Sequence, residues 1–247
     1  MDVPLYFYLA YKNMPRLAPG SDNTTLKAIN LVEFDHNDEL AILDIACGVG
    51  TQTVLLANFF ENATIEAIDL FRHYINEVEE KIALNNLSNR VHVYRMDMND
   101  LDFANEEFDI LFCEASIHIM GFKKALKEWK RLLKVNGYLV ASDISWISAP
   151  SVESRKFWKN NYEEVDSIKN KIKIIEKEGY EFIDYAVVPK EDWKNYFSAL
   201  EKNLAKISSD GSAKVFINEL KKEISVYMKN SDDYSYVFYV MRKADHQ

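Results

Sequence analysis

Two glycines, Gly48 and Gly50, close the apolar run in "ILDIACGVGTQT" (42–53), and Asp69 follows about twenty residues later at the end of a second apolar run, "TIEAIDL". Glycine lets a turn approach a ligand closely and adopt left-handed angles without steric cost. A carboxylate at the next strand end can accept both hydrogen bonds of a ribose diol. Each feature alone has a plainer explanation: many strand-to-helix turns use glycine, and Asp69 would also serve as a helix cap near Arg72. Strand, glycine turn, helix, strand and acid in this order point to an adenosine-type cofactor. A dinucleotide pyrophosphate calls for G-x-G-x-x-G spacing, and Thr53 stands where the third glycine would be, which counts against NAD.

Such residues need a frame that brings strand ends together. "LAILDIA", "TIEAIDL", "VHVYRMD" and "FDILFCE" read as strands, with "RHYINEVEEKIALNN" as an amphipathic helix between the second and third. Ser21 or Asp22 can cap a helix carrying Leu26, Ile29, Val32 and Phe34. "FKKALKEWKRLLKV" places Phe122, Ala125, Leu126, Trp129, Leu132 and Leu133 on one helical face, and an Asn136-Gly137 turn is expected to feed the strand "YLVASDISW". The alternation predicts an α/β fold with an open, mostly parallel sheet and helices on both faces. After Trp146 a helix at "KIKIIEKEG" and a strand at "EFIDYAVV" follow. Then come about forty helical residues with stripes Trp193, Phe197, Leu200, Leu204 and Phe216, Leu220, Ile224. The strand "YSYVFYVMRK" ends the chain, so the helical insertion before it is a candidate cap over the sheet edge.

The 247 residues, 48% of them hydrophobic, suffice for one substantial core. Thirty basic against 39 acidic residues leave a net charge of −9, which disfavours nucleic acid and anionic membranes as partners. Cys47 and Cys113 are too few for a disulfide framework or a zinc site and read as buried thiols, so no metal is expected. "MDVPLYFYLAYKNM" opens with Asp2, lacks a basic region and a cleavage site, and nothing elsewhere reaches membrane-spanning length. A soluble cytoplasmic protein is expected, and a homodimer is allowed for.

"ILDIACGVGTQT", "IEAIDL", "YRMDMNDLDF", "FDILFCEASIHIMGF" and "LLKVNGYLVASDISW" together resemble the ordered motifs of class I S-adenosylmethionine-dependent methyltransferases, over roughly Ala18 to Trp146. "PRLAPGSDNTTLKA" and "EASIHIMGF" are similar to a small-molecule, ubiquinone/menaquinone-biosynthesis-like branch. The resemblance implies a Rossmann-like sheet of seven strands, the last antiparallel, with a helical cap. It implies a single domain over 1–247, comprising an N-terminal helical lid segment (1–36), a cofactor-binding core (37–147), cap elements (148–165 and 190–230) and a terminal strand (231–247). Carried over by position, Asp44, Ala46, Cys47, Gly48 and Gly50 would line the methionine part of S-adenosyl-L-methionine, with Asp69 on the ribose and Leu70 beside the adenine. Asp97 and Met98 would flank the adenine ring, Glu114 and Ala115 would face the sulfonium, and Gly20 and Ser21 would offer backbone donors to the cofactor carboxylate. Ala46 departs from the glycine usual at its position.

Methyl transfer from a sulfonium is an in-line displacement that rests on alignment and on exclusion of water. His118, four residues past Glu114, is the candidate general base, with a core or helix-start histidine as the plainer alternative. Glu114 is the second catalytic candidate, because a charge interrupting an apolar strand is costly unless it is used. Tyr6, Tyr11, Trp146 and Trp158, with His118, are expected to form the acceptor pocket, through cation–π or apolar contacts. The acidic balance and the cap favour a small-molecule methyl acceptor. Alternatives are a dehydrogenase or aminopropyl-type transferase using the same pocket, and a cofactor-binding protein without catalysis.

Overall fold

Apolar residues at every second position build the sheet. Ile42, Ile110, Val140 and Val240 point into one core cluster, and their neighbours Leu43, Leu111, Leu139 and Met241 into another on the opposite face. The computed structural model describes residues 3–208 and 210–244. Asp2 and the outermost residues of the expected segments (1–2 and 245–247) lie outside the described residues.

The first half runs α1 (Leu5–Tyr11), α2 (Asp22–Ile29), β1 (Ala41–Ile45), α3 (Thr51–Phe59), β2 (Thr64–Asp69), α4 (Arg72–Leu84), β3 (Val91–Arg95) and β4 (Phe108–Cys113). It continues with α5 (Ile117–Met120), α6 (Phe122–Trp129), β5 (Leu133–Trp146), α7 (Val152–Asn161), β6 (Asp166–Ser167) and α8 (Ile168–Lys177). β7 (Tyr180–Val187), α9 (Lys190–Leu204), α10 (Gly211–Lys229) and β8 (Tyr234–Lys243) complete the described chain.

The strand order is β3-β2-β1-β4-β5-β8-β7, with only β8 antiparallel to its neighbours. This is the Rossmann-like class I methyltransferase sheet expected. The two-residue β6, which pairs with the end of β5, makes eight strands where seven were expected. Strand order reverses between β1 and β4, so their carboxyl ends open a crevice. Helices α7, α9 and α10 pack on the same face as that crevice, through Trp158, Trp193, Phe197 and Ile217, while α6 and α8 cover the other face.

Three local readings are corrected. Ser21 caps α2 by accepting a hydrogen bond from Thr24 N–H (3.3 Å), but the helix stops at Ile29, leaving Val32 and Phe34 beyond it. The helix read through Leu133 ends at Trp129: Lys130–Leu132 tighten into a 3-10 turn and Leu133 already belongs to β5. Asn136, at φ 63°, and Gly137 lie inside β5 where its register against β4 shifts, so the expected turn is an irregularity within one long strand. On α10 the buried face is Ala213, Ile217, Ile224 and Tyr227, with Phe216 and Leu220 half-buried at its edge. Among the described residues no helix is long and apolar enough to cross a membrane.

Candidate active site

β1 delivers the chain into a turn bound to the next strand. Cys47 N–H donates to Ile68 O (2.9 Å), Gly48 N–H to Asp69 Oδ2 (3.0 Å), and Phe71 N–H to Asp69 Oδ1 (3.0 Å). Asp69 thus fixes the glycine turn to the start of α4. Burial raises its carboxyl above the ordinary value, and the backbone donors pull against that rise. A carboxylate has roughly four lone-pair positions, so the two bonds leave Asp69 capacity for a ligand.

Left-handed angles are required along the turn. Gly48 has φ 53° and Gly50 φ 75°, and a Cβ on Gly50 would lie 2.8 Å from Val78 Cγ2. Gly50 therefore permits α3 to start against α4 and does not border the crevice. Ala46, at φ 59°, and Ala115, at φ 56°, hold the same region without being glycine, at the adjacent ends of β1 and β4. Each costs on the order of 1 kcal/mol or more. Asp44 is buried beneath the turn and accepts a hydrogen bond from Thr53 Oγ1 (2.6 Å). The hydroxyl of Thr53 explains its place at the third glycine position, since it partners an acid that burial pushes up to about 7.

Above the turn lies a cavity of about 580 Å³. Ala46, Cys47, Gly48, Asp69 and Leu70 line it from β1 and β2, Asp97 and Met98 from the segment after β3, and Glu114, Ala115 and His118 from the end of β4. Tyr11 and Trp158 line it from the capping helices. Six further candidates do not border it. Gly20 packs against Glu114, Asp44 lies beneath the turn, Gly50 ends the turn against Val78, and Ser21, expected to offer its backbone N–H, sits at the α2 cap with its hydroxyl on Asp192 (2.8 Å). Tyr6 packs on Phe216 (5.3 Å between rings), and Trp146 turns its edge to Tyr234 (6.1 Å).

Residues 42–137 match a family described as "Methyltransferase domain". Over that segment the chain is similar to methyltransferase domains. An uncharacterised protein of Haemophilus influenzae is 33% identical over 140 residues, covering 56% of this chain and 55% of that protein. Demethylmenaquinone methyltransferase of Bacteroides fragilis is 28% identical over 120 residues, 48% of either chain. These matches span about half the length of the curated relatives. The fold extends further: a S-adenosylmethionine-dependent methyltransferase from Geobacter sulfurreducens, solved with S-adenosyl-L-homocysteine, superposes with a TM-score of 0.83 over 97% of this chain and 98% of that one, at 14% identity.

At the end of β4, Glu114 is an anchor. Its carboxylate is buried and accepts from Arg16 (2.6 Å) and Thr25 Oγ1 (2.8 Å), while Arg16 also reaches Asp22 (2.8 Å). The expected cost of a charge in an apolar strand is therefore met by an ion pair, which holds Leu17, Ala18 and Pro19 over the cavity. A Cβ on Gly20 would sit 2.7 Å from Glu114 Oε1, so Gly20 allows this close packing. Arg16 was missed in the sequence, although it is the one basic residue in "NMPRLAPGS".

His118 faces a second polar group that sequence reasoning missed. Tyr162 Oη donates to Asp143 Oδ2 (3.0 Å), Lys171 forms a buried ion pair with the same oxygen, and Lys171 Nζ sits 4.3 Å from the Phe122 ring. Burial lowers the His118 imidazole below its usual value, its Nδ1 is buried without a partner, and its ring lies 5.6 Å from that of Tyr162. It is therefore neutral near pH 7 and able to take a proton. A lysine in "KIKIIEKEG" reads as solvated, and only the sheet geometry shows Lys171 turned inward.

Proposed function

We propose that the protein is an S-adenosyl-L-methionine-dependent methyltransferase that transfers a methyl group to a small-molecule acceptor. The observation that carries this reading is the Gly48 turn tied to Asp69 at the floor of a ligand-sized cavity, over the switch in strand order. In it, Asp69 takes the ribose hydroxyls, Leu70, Asp97 and Met98 border the adenine, Ala46, Cys47 and Gly48 border the methionine part, and Ala115 with the anchored Glu114 closes the sulfonium end. The bound cofactor supplies an electrophilic methyl carbon. The protein's part is to align an acceptor against it and exclude water, and His118 is the base for any acceptor that must lose a proton.

Helices α1, α7, α9 and α10 all contribute to the cavity wall, which suits a small acceptor better than a macromolecule. The net charge of −9 argues in the same direction against nucleic acid and anionic membrane surfaces. A cytoplasmic place of action belongs to the same reading, with Cys47 and Cys113 as reduced, buried thiols. Calorimetry with S-adenosylmethionine, S-adenosylhomocysteine and NAD tests it: the two sulfur nucleosides should bind and NAD should not. Binding of NAD alone would turn the reading to a dehydrogenase. Labelled methyl donor incubated with a metabolite extract should yield a labelled product; tight binding without product would indicate a sensor.

A further inference from the structure

Four acidic side chains packed around the cavity have partners of their own. Glu114 has Arg16, Asp143 has Lys171, Asp69 has two backbone N–H groups, and Asp97 is held by Asn99 N–H (2.9 Å). Glu223, on α10, also lines the cavity. Among the described residues it has neither hydrogen bond nor ion pair, and burial is the single influence on its carboxyl, which it pushes up to about 7. Among the described residues the two buried cations, Arg16 and Lys171, are committed elsewhere. Lys221 and Lys222, beside Glu223 in sequence, are exposed.

Aromatic side chains share the cavity with this carboxylate. Tyr11, Tyr196 and Tyr236 line the same cavity, and each feels the Glu223 charge, while Trp158 contributes from α7. A carboxylate beside aromatic rings, with no cationic side chain of the described residues paired to it, is a setting that attracts an organic cation. The sulfonium of the cofactor is not the cation in question. Tyr236 lies on β8, opposite Ile144 of β5, and two strand spacings separate β8 from β4, whose end closes the sulfonium part of the cavity. At about 4.8 Å per spacing, that is roughly 10 Å.

We propose that the end of the cavity beneath α9 and α10 binds an organic ammonium group of the methyl acceptor, with Glu223 as its counter-charge and Tyr11, Tyr196 and Tyr236 as its walls. This rests on the methyltransferase reading and names the acceptor class: a small molecule bearing a protonated or quaternary amine. Entry of the cation pairs Glu223, which the described residues leave without a partner, and restores its ionised form.

The test uses the full-length protein saturated with S-adenosylhomocysteine and titrated with choline and with its neutral isostere, 3,3-dimethylbutan-1-ol. Choline should bind about ten-fold or more tightly than the alcohol, the size of a desolvated ion pair with cation–π contacts. Glu223→Gln should remove that preference while S-adenosylhomocysteine affinity stays unchanged, which shows the variant is folded. Equal binding of the two probes, no choline binding at millimolar concentrations, or an unchanged preference in Glu223→Gln each overturns the ammonium site and leaves the cofactor reading intact. Failure of the wild-type protein to bind S-adenosylhomocysteine overturns the methyltransferase reading itself.

Discussion

The two sides of the cavity are built differently. On the sheet side, polar groups arrive with partners supplied by the chain: Asp44 with Thr53, Asp69 with Gly48 and Phe71, Glu114 with Arg16. On the cap side, Tyr11 of α1 and Tyr196 of α9 share the cavity with Glu223 of α10, a carboxylate with no partner among the described residues. Pre-satisfied groups make a rigid cradle whose shape does not wait for its ligand, whereas an incomplete one selects a ligand that completes it. The contrast fits a constant cofactor on one side and a variable acceptor on the other.

The largest test of that contrast is to unpair the sheet side. Arg16→Ala should leave Glu114 buried and uncompensated, at a cost of about 3–5 kcal/mol in chemical denaturation. The double variant Arg16→Met with Glu114→Gln should recover most of it. A loss within 1 kcal/mol for Arg16→Ala would mean that the pair is not a structural anchor.

The pH dependence sharpens the comparison. Burial raises the Asp44 carboxyl to about 7, so between about pH 4 and 7 the folded protein holds a proton that the unfolded chain has released. Stability should therefore be greatest below pH 4 as far as this group is concerned, fall as pH rises through that interval by about 4 kcal/mol, and stay low above it. Asp44→Asn should flatten the fall in a ligand-free protein. Glu223 has the same sign over nearly the same interval, and Glu223→Gln should flatten a further part. A pH profile unchanged by Asp44→Asn would contradict the buried acid.

Smaller effects probe the cradle itself. Asp69→Ala should weaken S-adenosylhomocysteine by about 2 kcal/mol, near thirty-fold, through loss of charge-assisted hydrogen bonds. Unchanged affinity would remove Asp69 from the site. Ala46→Gly should stabilise the fold by up to about 1 kcal/mol, because glycine holds φ 59° without the steric cost of a Cβ. A destabilised Ala46→Gly would mean that the alanine methyl contributes packing worth more than the strain.

The cofactor side was the more legible of the two in sequence, and the reason is physical. Hydrophobic runs, the glycine turn and Asp69 are local signals repeated in a fixed order, and local order survives as pattern. The eighth strand was missed because two residues, Asp166 and Ser167, carry no periodicity. Arg16, Asp143 and Lys171 were missed because each pair joins segments far apart in the chain. Glu223 sits among lysines on an amphipathic helix and reads as a solvated charge until α10 is seen to face the cavity. Trp146 and Tyr6 were placed in the acceptor pocket by aromatic type alone, but their rings are absorbed by Tyr234 and Phe216.

The most direct test of the cradle is a crystal structure of the protein grown with S-adenosylhomocysteine. The account predicts density for the nucleoside over the ends of β1 and β2, with both ribose hydroxyls on the Asp69 carboxylate and the amino-acid part against the Gly48 turn. Density for the nucleoside elsewhere, with that turn bare, would contradict it.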